Sequence, residues 1–314
     1  MIRQVHIVNF RCIRDLTLAL EPLTVLVGPN GSGKSAVLAA LNPGLVLQPW
    51  DHWQLDQALE VRREWSFAKS GSGALVQRAG HGYSTVQVLS NWRHQDLRLD
   101  LQRIRQANQL QLSQQLTSDG SNLANVFGTL TRKQKGELAQ QLCSLVPLFL
   151  DVDITPTQAG MHQLRFQDRW SPSLWYDPGA VSDGTMLLVA FLTLQYQSPP
   201  VDVVAIEEPE RGLHPYLVEQ LVGFLRKLSR GELGPRRIQV VLATHSPELL
   251  DYVRPEEVRF LSRRPEDGSV TATSVATADP DWPRYFREYR ESLKEAWLSG
   301  GLGGAPGYEP AARS

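Results

Sequence analysis

The pattern of hydrophobic and polar positions divides the chain into runs of different period. Residues 2–8 and 15–20 read as short strands flanking the polar stretch "NFRCIRD". Residues 23–27, "LTVLV", form an apolar β-type run, as expected of a strand buried on both faces. A glycine-rich stretch follows, then a predicted helix from Lys34 to about Leu41, stopped by Asn42, Pro43 and Gly44. From about 45 to 118 the period falls to two in "LEVRREWSF", "STVQVLS" and "DLRLDL", with turns such as "SGSG" between them; this predicts an antiparallel lobe with one wet face. Residues 121–148 read as helical, with Thr131 as a cap and Leu138, Leu142, Leu145 and Val146 on one stripe. A strand pair is predicted over 150–167, and a helix begins near Ser182 in "VSDGTMLLVAFLTLQYQ". "VDVVAIEEPE" is an apolar strand ending in carboxylates, "HPYLVEQLVGFLRKLSR" an amphipathic helix, and "RIQVVLATHSPELL" a strand, loop and helix. The tail 282–299 reads as helical and "GGLGGAPG" as loose; there is no internal repeat and no sustained heptad.

Composition narrows the class without naming a function. At 314 residues the chain can bury one large core or two small ones. With 42 % apolar and 21 % charged residues it has the composition of a globular protein, and a net charge of -1 supplies no global positive field for nucleic acid or an anionic membrane. Cys12 and Cys143 suggest reduced thiols rather than a disulfide framework. No apolar run reaches membrane-spanning length and the charged N-terminus lacks a signal-peptide core, so a cytoplasmic protein without a membrane partner is expected.

Four short motifs carry chemistry. "GPNGSGKS" follows the apolar strand and opens a helix, the context that a phosphate-gripping loop requires. Its residues Gly28, Asn30, Gly31, Ser32 and Gly33 turn backbone N–H groups toward β- and γ-phosphates, Lys34 adds a point charge, and the Ser35 hydroxyl is placed to bind Mg²⁺. In "VVAIEEPE" a buried strand ends in two adjacent carboxylates. Alone, such a pair reads as a solvated strand end; after a P-loop, Glu207 would hold the metal, through water, and Glu208 would orient or deprotonate the attacking water. In "VSDGT", Ser182 can cap a helix while Asp183 and Gly184 leave its first-turn amides open; this is an N-cap and a candidate second anion site. His245 in "ATHSPELL" sits at a strand tip, where ligands of parallel sheets bind, and is a candidate γ-phosphate sensor. Small basic groups at Arg62–Arg63, Arg132/Lys133/Lys135, Arg226–Lys227/Arg230 and Arg236–Arg237 read as solvated faces or strand ends rather than a phosphate track.

The motifs in their order, "VNFRCIRDLTLAL", "GPNGSGKS", "SDGT", "EEPERGLHP" and "THSPELL", resemble the ATPase heads of the SMC/RecF-like, ABC-type class, and within it the stand-alone ATPases related to the ATPase part of the overcoming-lysogenization-defect (OLD) nucleases. The resemblance runs from residue 1 to about 300. It implies an α/β P-loop NTPase fold of the ABC-ATPase head type, with an antiparallel β lobe and a helical signature lobe. The expected division is 1–44 and 200–276 for the nucleotide core, 45–118 for the β lobe, 119–199 for the signature lobe, and 277–314 for a C-terminal helix and tail.

It further implies that Ser182, Asp183, Gly184 and Thr185 contact ATP held by a second protomer. Glu207 stands for the usual metal-side Asp, Glu208 for the catalytic glutamate and His245 for the switch histidine. His214 ends the D-loop stretch, and Asn9 and Arg11 lie near the nucleotide. The function so implied is a Mg²⁺-dependent ATPase switch that closes as a head-to-head homodimer around two ATP molecules, in DNA repair or phage defence, acting on DNA or on a separately encoded effector. A transporter ATPase, a kinase and a nucleotide-gated regulator are the competing readings. No Toprim nuclease is expected after the last ATPase motif, and the Q-loop glutamine has no assigned position.

Overall fold

The computed structural model describes residues 1–56, 59–67, 75–80, 83–87, 92–157, 160–274 and 292–299. The predicted "SGSG" turn, the glycine-rich end and most of the predicted C-terminal helix lie outside the described residues. In chain order the elements are β1 (Ile2–Phe10), β2 (Ile13–Ala19), β3 (Leu23–Val27), α1 (Lys34–Ala40), β4 (Val61–Phe67), β5 (Leu75–Gly80), β6 (Tyr83–Gln87) and β7 (His94–Leu97). Then come α2 (Leu123–Thr129), α3 (Arg132–Leu145), β8 (Phe149–Pro156), β9 (His162–Asp168), β10 (Trp175–Tyr176), α4 (Asp183–Thr193) and β11 (Val203–Glu207). The chain continues through α5 (Pro215–Arg230), β12 (Gln239–Thr244), β13 (Val258–Arg263), β14 (Val270–Ser274) and α6 (Leu293–Leu298). Two compact units result: Met1–Asp96 with Asp202–Glu210 and Ile238–Ser314, and Leu97–Val201 with Arg211–Arg237.

The first unit contains a six-stranded sheet in the order β14-β13-β3-β12-β11-β7 and an antiparallel sheet in the order β2-β1-β4-β5-β6. β3 lies between β12 and β13 and runs parallel to both, with Val25 opposite Leu242 and Val258. All five residues of β3 and all six of β12 are buried, which explains why their sequences are apolar without alternation. Gln239, itself fully buried, closes the seam between the sheets. Its amide nitrogen donates to the Ile2 carbonyl and its oxygen accepts from the Ile2 amide, both at 2.8 Å. α1 buries Ala36, Val37, Leu38 and Ala40 in a core shared with Ile7, Leu26, Val203 and Val241.

Arg63 corrects the reading of the Arg62–Arg63 pair as a solvated strand end. On β4 its guanidinium is fully buried and donates to the carbonyls of Asn42 (2.9 Å), Leu45 (3.2 Å) and Ala39 (3.4 Å), flanked by the rings of Trp65 and Phe10 at 5.4 and 5.7 Å. Burial lowers its pKa to about 10, and Asp51 opposes the shift. The cation thus sits at the C-terminal end of α1, on the Ala39 carbonyl of its last turn and the Asn42 and Leu45 carbonyls beyond it, where the helix dipole is negative. Arg63→Lys keeps the charge but cannot reach three carbonyls from one plane. It is expected to cost about 2 kcal/mol, read as a lower denaturant midpoint with an unchanged slope.

The second unit is built on helices. α4 is buried along Gly184–Thr193, so its sequence is apolar all round rather than striped. α3 opens with the predicted Thr131 cap, completed by Gln134 as a capping box. α5 buries Val218, Leu221, Val222, Leu225 and Leu228, and ends at Gly231 with φ +75°. The predicted strand pair is β8 and β9, joined by the short β10.

Three elements differ from the sequence expectation. "HQDL" of β7 is a strand of the six-stranded sheet, beside β11, rather than of the antiparallel one. The helix expected after His245 is a 3-10 helix over Pro247–Tyr252. β13 and β14 complete the sheet although no motif marks them. Among the described residues, no helix is long and apolar enough to cross a membrane.

Candidate functional site

The loop from Gly28 to Gly33 joins the end of β3 to α1 in the first unit. Two of its glycines are required by the space around them. A Cβ on Gly28 would lie 2.4 Å from the Leu261 carbonyl oxygen and 2.6 Å from Ser32 Oγ. Gly33 has φ +102°, and a Cβ there would lie 2.5 Å from Val270 Cγ2. Gly33 is also the N-cap of α1 and brings no side chain to the first-turn amides, which stay open to a ligand. Ser32 Oγ is buried without a hydrogen-bond partner, an orphan hydroxyl inside the loop. Asn30, Gly31 and Ser35 are exposed at its crest and mouth. Lys34 Nζ donates to the carbonyls of Gly28 (2.8 Å) and Pro29 (2.9 Å).

Carboxylates converge on this lysine. Burial pushes the Lys34 ammonium below the usual lysine range; Glu208, Glu207 and Glu210, in that order, pull it back up. Glu207 ends β11 and Glu208 is the residue beyond it. Glu208 has φ +48°, a left-handed conformation rare for a side chain of this size, and its amide donates to the Ala243 carbonyl at 2.8 Å. This turn brings its Oε1 to 3.0 Å from His245 Nδ1, just past the end of β12. Asp96 on β7 joins the group: burial raises its carboxyl above the usual range, Glu207 adds to the rise, and the Asn42 amide, 3.1 Å away, opposes it.

Asn9 near the end of β1 and Arg11 in the β1–β2 turn, both expected near the nucleotide, have φ above +50°. Their side chains engage the segment before β4: Asn9 donates to the Glu60 carbonyl at 3.1 Å, and Arg11 Nε to Asp51 Oδ1 at 2.7 Å. The turn residue that meets the P-loop is Cys12, whose Sγ would lie 3.4 Å from a Cβ on Gly33.

Ser182, Asp183, Gly184 and Thr185 belong to the second unit. Ser182 caps α4, its Oγ accepting from the Thr185 amide at 3.2 Å. Arg105, which no motif marks, braces this terminus. It donates to the carbonyls of Pro178 and, at 3.0 Å, Val181, and pairs with Asp183 Oδ1 at 2.6 Å. Gly184 is packed so closely that a Cβ would meet the Gly212 carbonyl oxygen at 3.3 Å. His214 caps α5 through Nδ1, which accepts from the Tyr216 amide at 3.4 Å.

Sequence reasoning missed Glu210, Thr244, Asp96 and Arg105. Glu210 carried a signal as the last acid of "EEPE" and Thr244 as the first residue of "THSPELL"; Asp96 and Arg105 carried none. The donor set fits a magnesium nucleotide: open amides at a helix N-terminus, an orphan buried hydroxyl, a lysine facing carboxylates, and the oxygens of Ser35 and Glu207 at the mouth.

Known proteins match in two ways. A family model described as "AAA ATPase domain" matches residues 1–44, and one described as "AAA domain, putative AbiEii toxin, Type IV TA system" matches residues 102–251. A curated relative, the OLD nuclease of Thermus scotoductus, is 48% identical over 42 residues, which are 13% of this chain and 8% of that protein. In fold, the chain is similar to an SMC head bound to the C-winged helix domain of ScpA, with a TM-score of 0.63, 15% identity, and coverage of 88% of this chain and 98% of that one. It is also similar to the SMC head domain from Thermotoga maritima, with a TM-score of 0.56, 16% identity, and coverage of 87% and 98%. For an SMC head with an extended coiled coil, bound to a ScpA domain derived from Pyrococcus furiosus, the TM-score is 0.60 at 12% identity, covering 92% and 99%.

Proposed function

We propose that this chain, an SMC/RecF-like ATPase head related to the ATPase region of the OLD nucleases, binds ATP with Mg²⁺ and hydrolyses it slowly as a switch. The observation that carries this reading is the pairing of Glu208 with His245 at 3.0 Å on strand ends that converge, with Glu207 and Glu210, on Lys34.

The P-loop amides and Lys34 bind the β- and γ-phosphates, and Ser35 with Glu207 would hold the metal. Bound there, Mg²⁺ would neutralise charge on the phosphate oxygens. Glu208 orients a water in line with the γ-phosphorus and takes its proton as the P–O bond to ADP breaks. His245 holds the carboxylate in place through Nδ1 and presents its other ring nitrogen to the γ-phosphate.

The remaining donors come from a second copy. Ser182 is exposed at the N-terminus of α4, and the amides behind it suit the γ-phosphate of ATP bound to a partner protomer. Each site is then complete only in a closed homodimer, so ATP and closure are coupled. The pathway fits DNA repair or phage defence, with DNA or a separately encoded effector protein reading the closed state.

The test is hydrolysis against concentration. Phosphate release per chain should rise as the protein passes from monomer to dimer. Ser182→Arg should abolish it, because a long cation then fills the partner-facing cap, while leaving ATP binding intact. A specific activity that stays flat through that transition removes the shared-site mechanism.

A further inference from the structure

Beyond the residues given a chemical role, one acid stands at the same strand ends. We propose that Glu210 is a positioning residue for hydrolysis: through Thr244 it fixes the His245 loop so that His245 and Glu208 address the γ-phosphate together. The inference rests on the ATPase reading above.

The geometry is a three-point clamp within the first unit. Glu210 Oε1 accepts from Thr244 Oγ1, and that same hydroxyl oxygen accepts from the Ser246 amide at 2.8 Å. The residues on both sides of His245 are therefore held by one hydroxyl, itself held by Glu210. The second point is the Glu208 amide on the Ala243 carbonyl, and the third is the Glu208–His245 pair. Segment 208–210 thus grips segment 243–246 through a backbone amide, an imidazole and a hydroxyl. Thr244 is fully buried and lies opposite Val27, the last residue of β3 before the P-loop, so the clamp is registered to the phosphate grip. Glu208, His245 and Lys34 are the charged groups whose fields reach Glu210.

Glu210 Oε2 is shut away from solvent with no hydrogen-bond partner. A carboxylate oxygen left so is destabilising. A buried acid with one oxygen unpartnered, beside an active cluster, is the pattern of a residue retained for function. Loss of the clamp leaves the P-loop intact, so it should lower turnover rather than substrate binding.

The experiment uses the full chain with Glu210→Gln, Glu210→Ala, Thr244→Val and the Glu210→Ala/Thr244→Val double variant. Phosphate release is measured with the His245 ring resonance, identified by its loss in His245→Asn. Glu210→Gln keeps the acceptor for Thr244 and should leave the resonance in place, with kcat within about threefold of wild type. Glu210→Ala and Thr244→Val should each move the resonance and lower kcat about tenfold or more, with KM within about threefold, as a small misplacement of catalytic groups does. The double variant should be no worse than either single, since both break one link.

The proposal is overturned if Glu210→Ala turns over like wild type with an unmoved resonance. It is equally overturned if Glu210→Gln is as impaired as Glu210→Ala, or if the two single losses multiply. Should the wild type itself release no phosphate, the ATPase reading fails and the ring resonance decides alone. Movement in Glu210→Ala and Thr244→Val but not in Glu210→Gln sustains the clamp, and any other pattern removes it.

Discussion

Glu208→Gln should bind ATP, assemble into dimers that light scattering detects, and release almost no phosphate. The amide keeps the size and the hydrogen-bonding capacity of the side chain, so it still meets His245 Nδ1 across the 3.0 Å now spanned by the carboxylate. The backbone is unchanged, including the amide bond to Ala243 that sets the left-handed turn. What is lost is the base. General-base removal costs roughly 10² to 10⁴ in rate. On the proposed mechanism Ser35 and Glu207 would still hold the metal, so the closed state should form and persist. Glu207→Gln should behave differently, weakening the metal site and with it the dimer. Hydrolysis by Glu208→Gln at the wild-type rate would remove Glu208 as the base and turn the search to His245.

Lys34→Ala should weaken ATP binding tenfold or more, a loss of at least ~1.4 kcal/mol. The ammonium lies within the fields of Glu208, Glu207 and Glu210, so its removal takes away the attraction to phosphate and leaves the negative charge of those carboxylates less opposed beside it. The repulsion then falls on the incoming triphosphate. Titration of a fluorescent ATP analogue with Mg²⁺ reads the effect, and neither dimers nor turnover should appear at nucleotide concentrations that saturate the wild type. Unchanged affinity in a folded variant would remove the P-loop assignment.

What could be read from the sequence was what neighbouring residues determine. "LTVLV" before "GPNGSGKS" gives β3, the loop and α1, because burial on both faces and a glycine turn are local demands. Ser182 and Thr131 cap the helices predicted for them for the same reason. "DLRLDL" is read as a strand of the antiparallel lobe, but only Asp96 and Leu97 of it are strand, in β7 of the other sheet, because alternation tells which face is wet and not which strand is the neighbour. Arg63 has the same pattern as any exposed strand residue; only folding puts three carbonyl oxygens of the stretch after Leu38 around it. Arg105 and Asp183 are 78 positions apart, and Glu210 and Thr244 are 34 apart, so neither pair leaves a spacing that could be recognised. The family resemblance supplied roles for Glu207, Glu208 and His245; Glu210 and Thr244 stand in the same motifs, "EEPERGLHP" and "THSPELL", but without a role assigned to them.

The seam closed by Gln239 bears on how the chain comes to be folded. Its amide reaches back 237 positions to Ile2, and β3, which carries the P-loop, finds both of its parallel neighbours only in β12 and β13. During synthesis the whole of the second unit up to Arg237 emerges while β3 has no sheet to join. Pairings of such long range form slowly, because loop-closure entropy is lost before any contact rewards it. The nascent chain therefore presents an unpaired apolar strand until β12 has been made, the kind of segment that chaperones hold and that aggregates when they do not. On the proposed reading the P-loop strand is set in its sheet only once β12 and β13 have been made, so ATP would act as a ligand of the finished fold and would not template its beginning.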